Sequence, residues 1–508
     1  MILPTDSVAI WTAATVVGLT AVLFALNSVA SATIDPAEPP AIQPTIPFVG
    51  HLISMLTERG SWYRRLYKKS SLPIFTLPIL NGKLYVMNSP ALVQAAMRTP
   101  EISFDPFFAE FTNGMLGLNS RQAAVINNKK CMEELLQIIH TTLMGPPLHK
   151  VNVNALGYLA GELNKVPRDR SLQVANSFLW LRNHLTTATG VGLYGKNNPL
   201  ADKAIDLLWT FNEGAISLSL GAPGFIFPRA VSARSGLNKR LNAYYAARHD
   251  EGDDVSDLIQ KRAVKLREFG FQDEDWGEEL ILPWVGSTNT IPVSFWIFVH
   301  LFTNPDYLSR VRAEFEAILD RKEGPHGPVV SINVDHLESG KVEKTIPFLN
   351  AIWLEALRFY LHNVGIRRIM SDVSIKDGDG REYLLKKGVN IQWPPMVLHF
   401  LDSAWGTDAE TFDPERFLNV PASVDKLRRG ANVPFGGGKH LCPGRRFAMS
   451  EVLGLIGAVA LGFDVKGLIL PESRDPPVGH APRVAVLHPG FKLSRRKGWE
   501  DVTFEFAG

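Results

Sequence analysis

Apolar and polar positions divide this chain of 508 residues into four stretches of different rhythm. The first is almost wholly apolar. No charged residue occurs from Ser7 to Ile34, and the run VAIWTAATVVGLTAVLFALNSVA is long enough for a helix that spans a bilayer. A cleaved leader would carry basic residues before a shorter apolar run, and Met1–Asp6 has neither Lys nor Arg. Residues 7–31 are therefore expected to be a retained single-pass membrane anchor. The next stretch, residues 35–50, holds Pro36, Pro39, Pro40, Pro44 and Pro47, and predicts an extended, stiff hinge. Residues 51–508 form the body. Within it, 71–88 alternates as two short strands about Asn81-Gly82. From Ala91 to about Lys322 the spacing is helical, as in MEELLQIIHTTLM and NPDYLSRVRAEFEAILD, where Asn304 caps and Pro305 takes the first helical position. Residues 371–392 and the tail VAVLHPGFKLSRR read as strands. The pattern predicts one large, mainly α domain with small β-sheets.

Charge narrows the partners. The formal net charge is +2, so no basic field invites nucleic acid. The first basic residues after the anchor are Arg59, Arg64, Arg65, Lys68 and Lys69, which favour a body on the cytosolic side. Two cysteines exclude a disulfide-rich scaffold and suit a reducing compartment.

The chemistry concentrates in VPFGGGKHLCPGRRFAMSEV, residues 433–452. Cys442 stands just before a helical pattern that starts near Pro443. The free N–H groups of a helix start lower a thiol's pKa and favour thiolate. Gly436, Gly437 and Gly438 allow close backbone approach, and Gly444 keeps bulk away, so a flat ligand fits against the loop. Three other readings compete. A phosphate cradle would need Ser or Thr after Lys439, where His440 stands. A structural zinc needs more Cys and His nearby. An inert buried thiol does not call for this glycine context. The residues favour a metal-ligating thiolate.

This segment resembles the haem loop of cytochromes P450, Phe-x-x-Gly-x-Arg-x-Cys-x-Gly, through Phe435, Gly438, Cys442 and Gly444, with His440 where the family places Arg. Two more segments resemble family signatures in the same order. They are Glu355-Ala-Leu-Arg358 and Phe412-Asp-Pro-Glu-Arg-Phe417, whose Arg416 would join Glu355 and Arg358 in a structural triad. The chain is identified as a member of the superfamily on these motifs. The resemblance implies a cytochrome P450 fold after one transmembrane helix, and haem b with Cys442 as axial iron ligand. Phe435, Gly438, His440 and Gly444 would line that cofactor, and Arg367 and Arg368 are candidates for a propionate. Lys129 or Lys130 are weaker ones. Cys131, in a helical pattern, is expected to be a packing residue, and Phe104, Phe107 and Phe108 fall where relatives place a substrate-facing loop.

Over the cofactor the family has a helix reading Ala/Gly-Gly-x-Asp/Glu-Thr. Here GSTNT puts Asn289 in place of the acid and keeps the alcohol at Thr290. Pro292 cannot donate to the carbonyl of Thr288, so the helix should kink there and leave a polar groove for dioxygen and water. NTIPVSFW resembles the branch holding sterol 7α-hydroxylases, oxysterol hydroxylases and prostacyclin synthase, which is an isomerase. The resemblance implies a monooxygenase with Thr290 and Asn289 as catalytic residues, or else an isomerase or dehydratase that needs no external electrons. It further implies dioxygen, a lipophilic substrate (a sterol, terpenoid or polyketide-like secondary metabolite), and electrons from NADPH-cytochrome P450 reductase. Lys439, Arg445 and Arg446 would help to dock that reductase. A single-pass location in the endoplasmic reticulum membrane, with the body in the cytosol, completes the expectation.

Overall fold

The run Val452–Gly462 carries no polar side chain, and a helix apolar all round has to lie inside the protein. In the computed structural model, which describes residues 34–44, 50–79, 82–325, 327–476 and 479–508, this run forms the buried part of a central helix. The helices that bear on the site are α1 (Asp105–Leu116), α2 (Lys129–Thr142), α3 (Gly145–Asn164), α4 (Ser177–Tyr194), α5 (Ile281–Ser287), α6 (Thr290–Thr303), α7 (Pro305–Ile318), α8 (Pro347–Tyr360) and α9 (Arg445–Gly462). α9 packs against α3, α6, α7 and α8. Its glycines set the spacing: a Cβ at Gly457 would sit 1.9 Å from the Phe315 ring of α7, and one at Gly454 would sit 2.4 Å from Leu156 of α3. α6 is also buried on all sides from Val293 to Leu301.

A second apolar cluster lies under a five-stranded sheet. Its strands are β1 (Ile74–Ile79), β2 (Gly82–Met87), β3 (Ile102–Ser103), β4 (Gly365–Ile369) and β5 (Asn390–Trp393), in the order β1-β2-β5-β4-β3. β1 and β2 pair antiparallel with Ile79 opposite Gly82, so the glycine of the expected Asn81-Gly82 turn is the first residue of β2. Arg367 of β4 lies opposite Ile391 of β5.

The anchor expected over residues 7–31 lies outside the described residues. Among those that are described, no helix is long and apolar enough to cross a membrane. Of the proline-rich stretch, residues 35–44 are described and are not a free spacer. The Thr76 amide donates to the Pro40 carbonyl, the Thr76 hydroxyl to that of Pro39, and the Ile42 amide to that of Thr76, so the segment is laid against β1. Buried Glu38 joins it to the sheet through Lys83 and Tyr85. The helical pattern expected as far as Lys322 ends sooner. Residues Leu319–Gly324 are a strand paired with Gly327–Asn333, which in turn pairs with Thr503–Ala507. The fully charged run DRKE suits an exposed edge strand as well as a helix end, and pairing with the adjacent strand Gly327–Asn333 decides it.

Candidate cofactor site around Cys442

The loop 433–444 is closed by its own backbone. The Cys442 amide donates to the Phe435 carbonyl at 3.0 Å, and the Leu441 amide to that of Gly438. Gly436 and Gly438 take left-handed φ values of 70° and 62°, and Gly438 is also pressed on the backbone of Met97, whose carbonyl oxygen would lie 2.2 Å from a Cβ. A side chain is excluded there twice over. α9 begins at Arg445, two residues after the predicted start, and the Arg445 guanidinium donates to the Cys442 carbonyl at 2.7 Å. Phe435 lies half-buried near Trp353 of α8, ring centroids 6.5 Å apart.

The Cys442 thiol is half-buried. The amides of Gly444 and Arg445 and the Arg445 charge pull its pKa down, as the sequence predicts, but burial pushes harder and the net direction is up. The helix start alone therefore does not make the thiolate, and a bound cation has to supply the rest. Cys131 is fully buried on α2, its pKa pushed up to about 11 chiefly by burial, which suits a packing thiol.

Arg367 carries the clearest demand for a ligand. It is 7% exposed, and its guanidinium lies over Phe104 and Trp393 at 5.3 and 5.1 Å. Its hydrogen bond goes to the Ile366 carbonyl, and it has no ion pair with a described carboxylate. Burial draws its pKa down to about 10. A buried guanidinium without a counter-charge is costly, and an acidic group arriving beside it removes the cost. Arg368 differs. The alternation of β4 sends it to the other face, where it pairs with Glu110 of α1 at 2.6 Å and donates to Asn390. It is thus already neutralised and does not join the site. Lys129 and Lys130 are exposed and stand one turn from Glu133 and Glu134, also outside it.

His440 sits in a 3₁₀ turn, Gly438–His440. Its Nε2 accepts the Phe104 amide at 3.4 Å, and the Asp105 carboxylate lies 3.6 Å away. Burial first, and then the Arg367 charge, bring its pKa down to about 4, so it is neutral at physiological pH. Near neutrality it therefore carries no charge, unlike the arginine the family places there. What remains is a neutral ring whose Nδ1 is free to donate. Phe104 and Asp105 were not expected as neighbours of His440. Their clue was the aromatic cluster at 104–108, which structure turns toward the glycine loop as well as onto its own helix.

Glu355 and Arg358 are fully buried and form a two-pronged ion pair, both contacts 2.6 Å. Arg358 further donates to the carbonyls of His399 and Ala409, and the Asp413 amide donates to Glu355. Arg416 stands 3.8 Å from Glu355 without a hydrogen bond to it. Its firm partners are the Asp408 carboxylate at 2.6 Å and the Trp405 carbonyl at 2.7 Å. The sequence does not reveal His399. Its ring joins the Arg358 carbonyl at 2.8 Å to the Val433 amide at 3.2 Å, tying the ion pair to the start of the cysteine loop.

The apolar segment that packs against α9 is interrupted where Pro292 predicts. α5 ends at Ser287, Thr288 and Asn289 form a turn, and α6 starts at Thr290. Thr288 and Asn289 keep right-handed helical backbone angles, so the interruption is the expected kink with the helical hydrogen bonding locally lost. The Thr288 hydroxyl folds back on the Trp284 carbonyl at 2.8 Å. The Asn289 amide and Thr290 hydroxyl are half-buried, and no described residue hydrogen-bonds to either side chain. Beside the break, the Thr189 methyl group of α4 would lie 3.4 Å from a Cβ at Gly286, and the Thr189 hydroxyl donates to Glu451 of α9 at 2.9 Å. These residues fit a flat, metal-bearing ligand with an acidic edge. Cys442 would hold the metal, the glycine loop would pass close to its face, and Arg367 would answer the acid.

A family model described as Cytochrome P450 matches residues 231–494. A cytochrome P450 monooxygenase of Gibberella zeae is 33% identical over 96% of this chain and 94% of its own. Human prostacyclin synthase is 24% identical, covering 85% of this chain and 88% of its own. The solved structure of a retinoic acid-bound cyanobacterial CYP120A1 superposes with a TM-score of 0.69 at 19% identity, over 91% of this chain and 100% of that one.

Proposed function

This chain belongs to the cytochrome P450 family, and from that premise we propose that it is a monooxygenase which places one atom of dioxygen into a lipophilic substrate. The family uses haem held by an axial cysteine thiolate, and its members are oxidoreductases served by a redox partner. When bound, haem supplies the oxygen activation, and a thiolate ligand pushes electron density toward the iron. Cys442 is the proposed ligand, with Phe435, Gly438 and Gly444 lining the proximal face. Arg367 would take a propionate, and neutral His440 would donate a hydrogen bond from Nδ1 to the cofactor's acidic groups. Arg368 has no place in this set, because Glu110 holds it.

The observation that carries the reaction type is the break before α6. There the Thr290 hydroxyl and the Asn289 amide, on consecutive residues, have no hydrogen-bond partner among the described residues. An alcohol at that place can accept a proton from water and pass one on, which reductive cleavage of dioxygen requires. Thr290 therefore acts as the relay and Asn289 orients water beside it. A second reading rests on Asn289, which stands where an acid is usual, and on the likeness to prostacyclin synthase. An isomerase acting on a ready-made peroxide needs no proton relay and no external electrons.

A sterol, terpenoid or polyketide-like secondary metabolite is the proposed substrate, and NADPH-cytochrome P450 reductase the proposed electron donor. The proposed location is the endoplasmic reticulum membrane, with an anchor over residues 7–31 and the body in the cytosol. One feature of the body agrees with a membrane surface. Leu220, Phe225 and Ile226 are 66%, 83% and 55% exposed in the connection between two helices, where water would disfavour them.

Turnover with reductase, NADPH and isotopically labelled dioxygen across a panel of such molecules tests the reading. A product that carries the heavy oxygen and forms only with NADPH supports it. A product of unchanged mass that forms without NADPH overturns it in favour of the isomerase.

A further inference from the structure

Away from the cysteine loop, three metal-binding side chains meet where α3 crosses the 3₁₀ turn Val334–Leu337. His149 Nδ1 of α3 lies 3.0 Å from Glu338 Oε1 and 3.6 Å from Asp335 Oδ1, and the three donor atoms all lie within 4.8 Å of one another. Asp335 and Glu338 are three apart across a 3₁₀ turn, so they stand on one side of it. His149 and Asn152 are three apart on an α-helix and share a face. The first is directed at both carboxylates and the second at Glu338.

A divalent metal with ligand bonds of about 2.0–2.1 Å places tetrahedral donors roughly 3.3 Å apart. The two measured His149 separations bracket that spacing. The rival explanation is a pair of surface salt bridges, and it accounts for part of the cluster: Lys341 Nζ meets Asp335 Oδ2 at 2.5 Å. That contact uses the other oxygen and leaves Oδ1 facing His149.

Asn152 is what the salt-bridge explanation leaves over. It is 1% exposed, and its amide nitrogen touches Glu338 Oε1 at 2.9 Å, which points the side chain into the cluster. Yet its amide oxygen is buried with no partner. A buried amide oxygen left unpaired is unfavourable. Turning the amide about its last bond exchanges its two ends, so the oxygen comes to lie beside Glu338 and the nitrogen takes the oxygen's present place. There it would repel the carboxylate, unless a cation lay between them.

We propose that His149, Asp335 and Glu338, with the amide oxygen of Asn152 as fourth donor, form a binding site for a zinc-class divalent transition metal. One imidazole with oxygen donors suits Zn²⁺ and disfavours Ca²⁺ and Mg²⁺, which take oxygen alone. Two carboxylates balance the ion's charge. The site staples α3 to the turn, and the turn is itself bound to α9: the Ser450 hydroxyl donates to the Leu337 carbonyl at 2.9 Å. Metal binding thereby stiffens the support of the helix that follows Cys442.

The test uses the untagged, haem-loaded full chain, freed of metal on a chelating resin and titrated with Zn²⁺ against a fluorescent zinc indicator. One zinc per chain is expected, bound at least about tenfold more weakly in His149→Ala and in Glu338→Gln, and about tenfold more weakly in Asn152→Ala. The thermal midpoint should rise with zinc in the parent and not in His149→Ala. X-ray absorption at the zinc edge of the parent protein should show one imidazole with oxygen donors, which decides the matter even where a variant fails to fold. Absence of binding at about 100 μM Zn²⁺, equal affinity in His149→Ala and Glu338→Gln, or a sulfur or second imidazole in the zinc shell overturns the proposal.

Discussion

Arg367 and Arg368 are neighbours on β4 with opposite duties: the first lies buried over Phe104 and Trp393 and forms no ion pair with a described carboxylate, the second pairs at the surface with Glu110. Their difference gives a direct test of the cofactor edge. Arg367→Leu should release haem to excess apomyoglobin at least about tenfold faster, because a charge-assisted contact to a propionate is worth about 1.5–3 kcal/mol. Arg368→Leu loses only an exposed ion pair, worth about 0–1 kcal/mol, and its release rate should stay within about threefold of the parent. Equal effects from the two would place the propionate elsewhere.

The same pair shows what the sequence can tell. Two adjacent arginines in a strand must face opposite ways, but which one faces inward depends on how β4 registers with β5 and β3, and those contacts join residues far apart in the chain. Cys442 and its glycines were legible because their chemistry is local: a thiol, a helix start and backbone freedom fall within ten residues. The break at Pro292 was legible for the same reason, since a proline acts on the carbonyl four residues before it. His399 was not. Its role depends on meeting Arg358 and Val433 at once, across 41 and 34 residues. The upward push of burial on the Cys442 thiol was not legible, because helix geometry is local while burial is a property of the whole fold.

The Glu355–Arg358 pair should prove indispensable to folding, while Arg416 should not. Arg358→Ala leaves a buried carboxylate and several carbonyls unpaired, and removing one partner of such a pair costs about 3–5 kcal/mol. Little folded protein should accumulate. Arg358→Lys should fare little better, since one ammonium cannot span both Glu355 and the carbonyls of His399 and Ala409. Arg416→Ala breaks a pair whose Asp408 partner is largely exposed, so a loss of about 1–2 kcal/mol is expected. Denaturant unfolding followed by the Soret band ranks the three, and an Arg416→Ala loss as large as that of Arg358→Ala would restore Arg416 to the triad.

Glu451 should make the protein less stable as pH rises from about 4.5 to 8. Burial lifts its pKa to about 8 from an ordinary 4.5, with the Thr189 hydroxyl pulling the other way. Below the ordinary value, the carboxyl is protonated in both the folded and the unfolded chain. Between the two values the unfolded chain gives up its proton and the folded one keeps it, so the balance moves toward unfolding. Above about 8 both are ionised and the loss is complete, on the order of 5 kcal/mol. Glu451→Gln keeps the size and a contact with Thr189 but cannot ionise. Its stability should be flatter than the parent's across that window, and parallel profiles would show that Glu451 is not the titrating group.

Thr290 offers the sharpest division between the two proposed reactions. Its hydroxyl opens α6 beside the break, half-buried and bonded to no described residue, so replacing it should neither empty a packed core nor orphan a partner. Thr290→Ala should therefore keep the parent's melting point within about 2 °C and its thiolate-type spectrum with carbon monoxide. If the hydroxyl relays protons for reductive dioxygen cleavage, its loss should divert electrons to peroxide and lower the product formed per NADPH by about fivefold or more. Thr290→Ser, which keeps the hydroxyl and loses a methyl group, should recover most of the coupling. An isomerase would convert its substrate at the parent's rate in both variants, with no dependence on NADPH. Product and peroxide measured against NADPH consumed in the three proteins distinguish the cases: unchanged coupling in Thr290→Ala would remove the relay, and with it the main reason for preferring the monooxygenase.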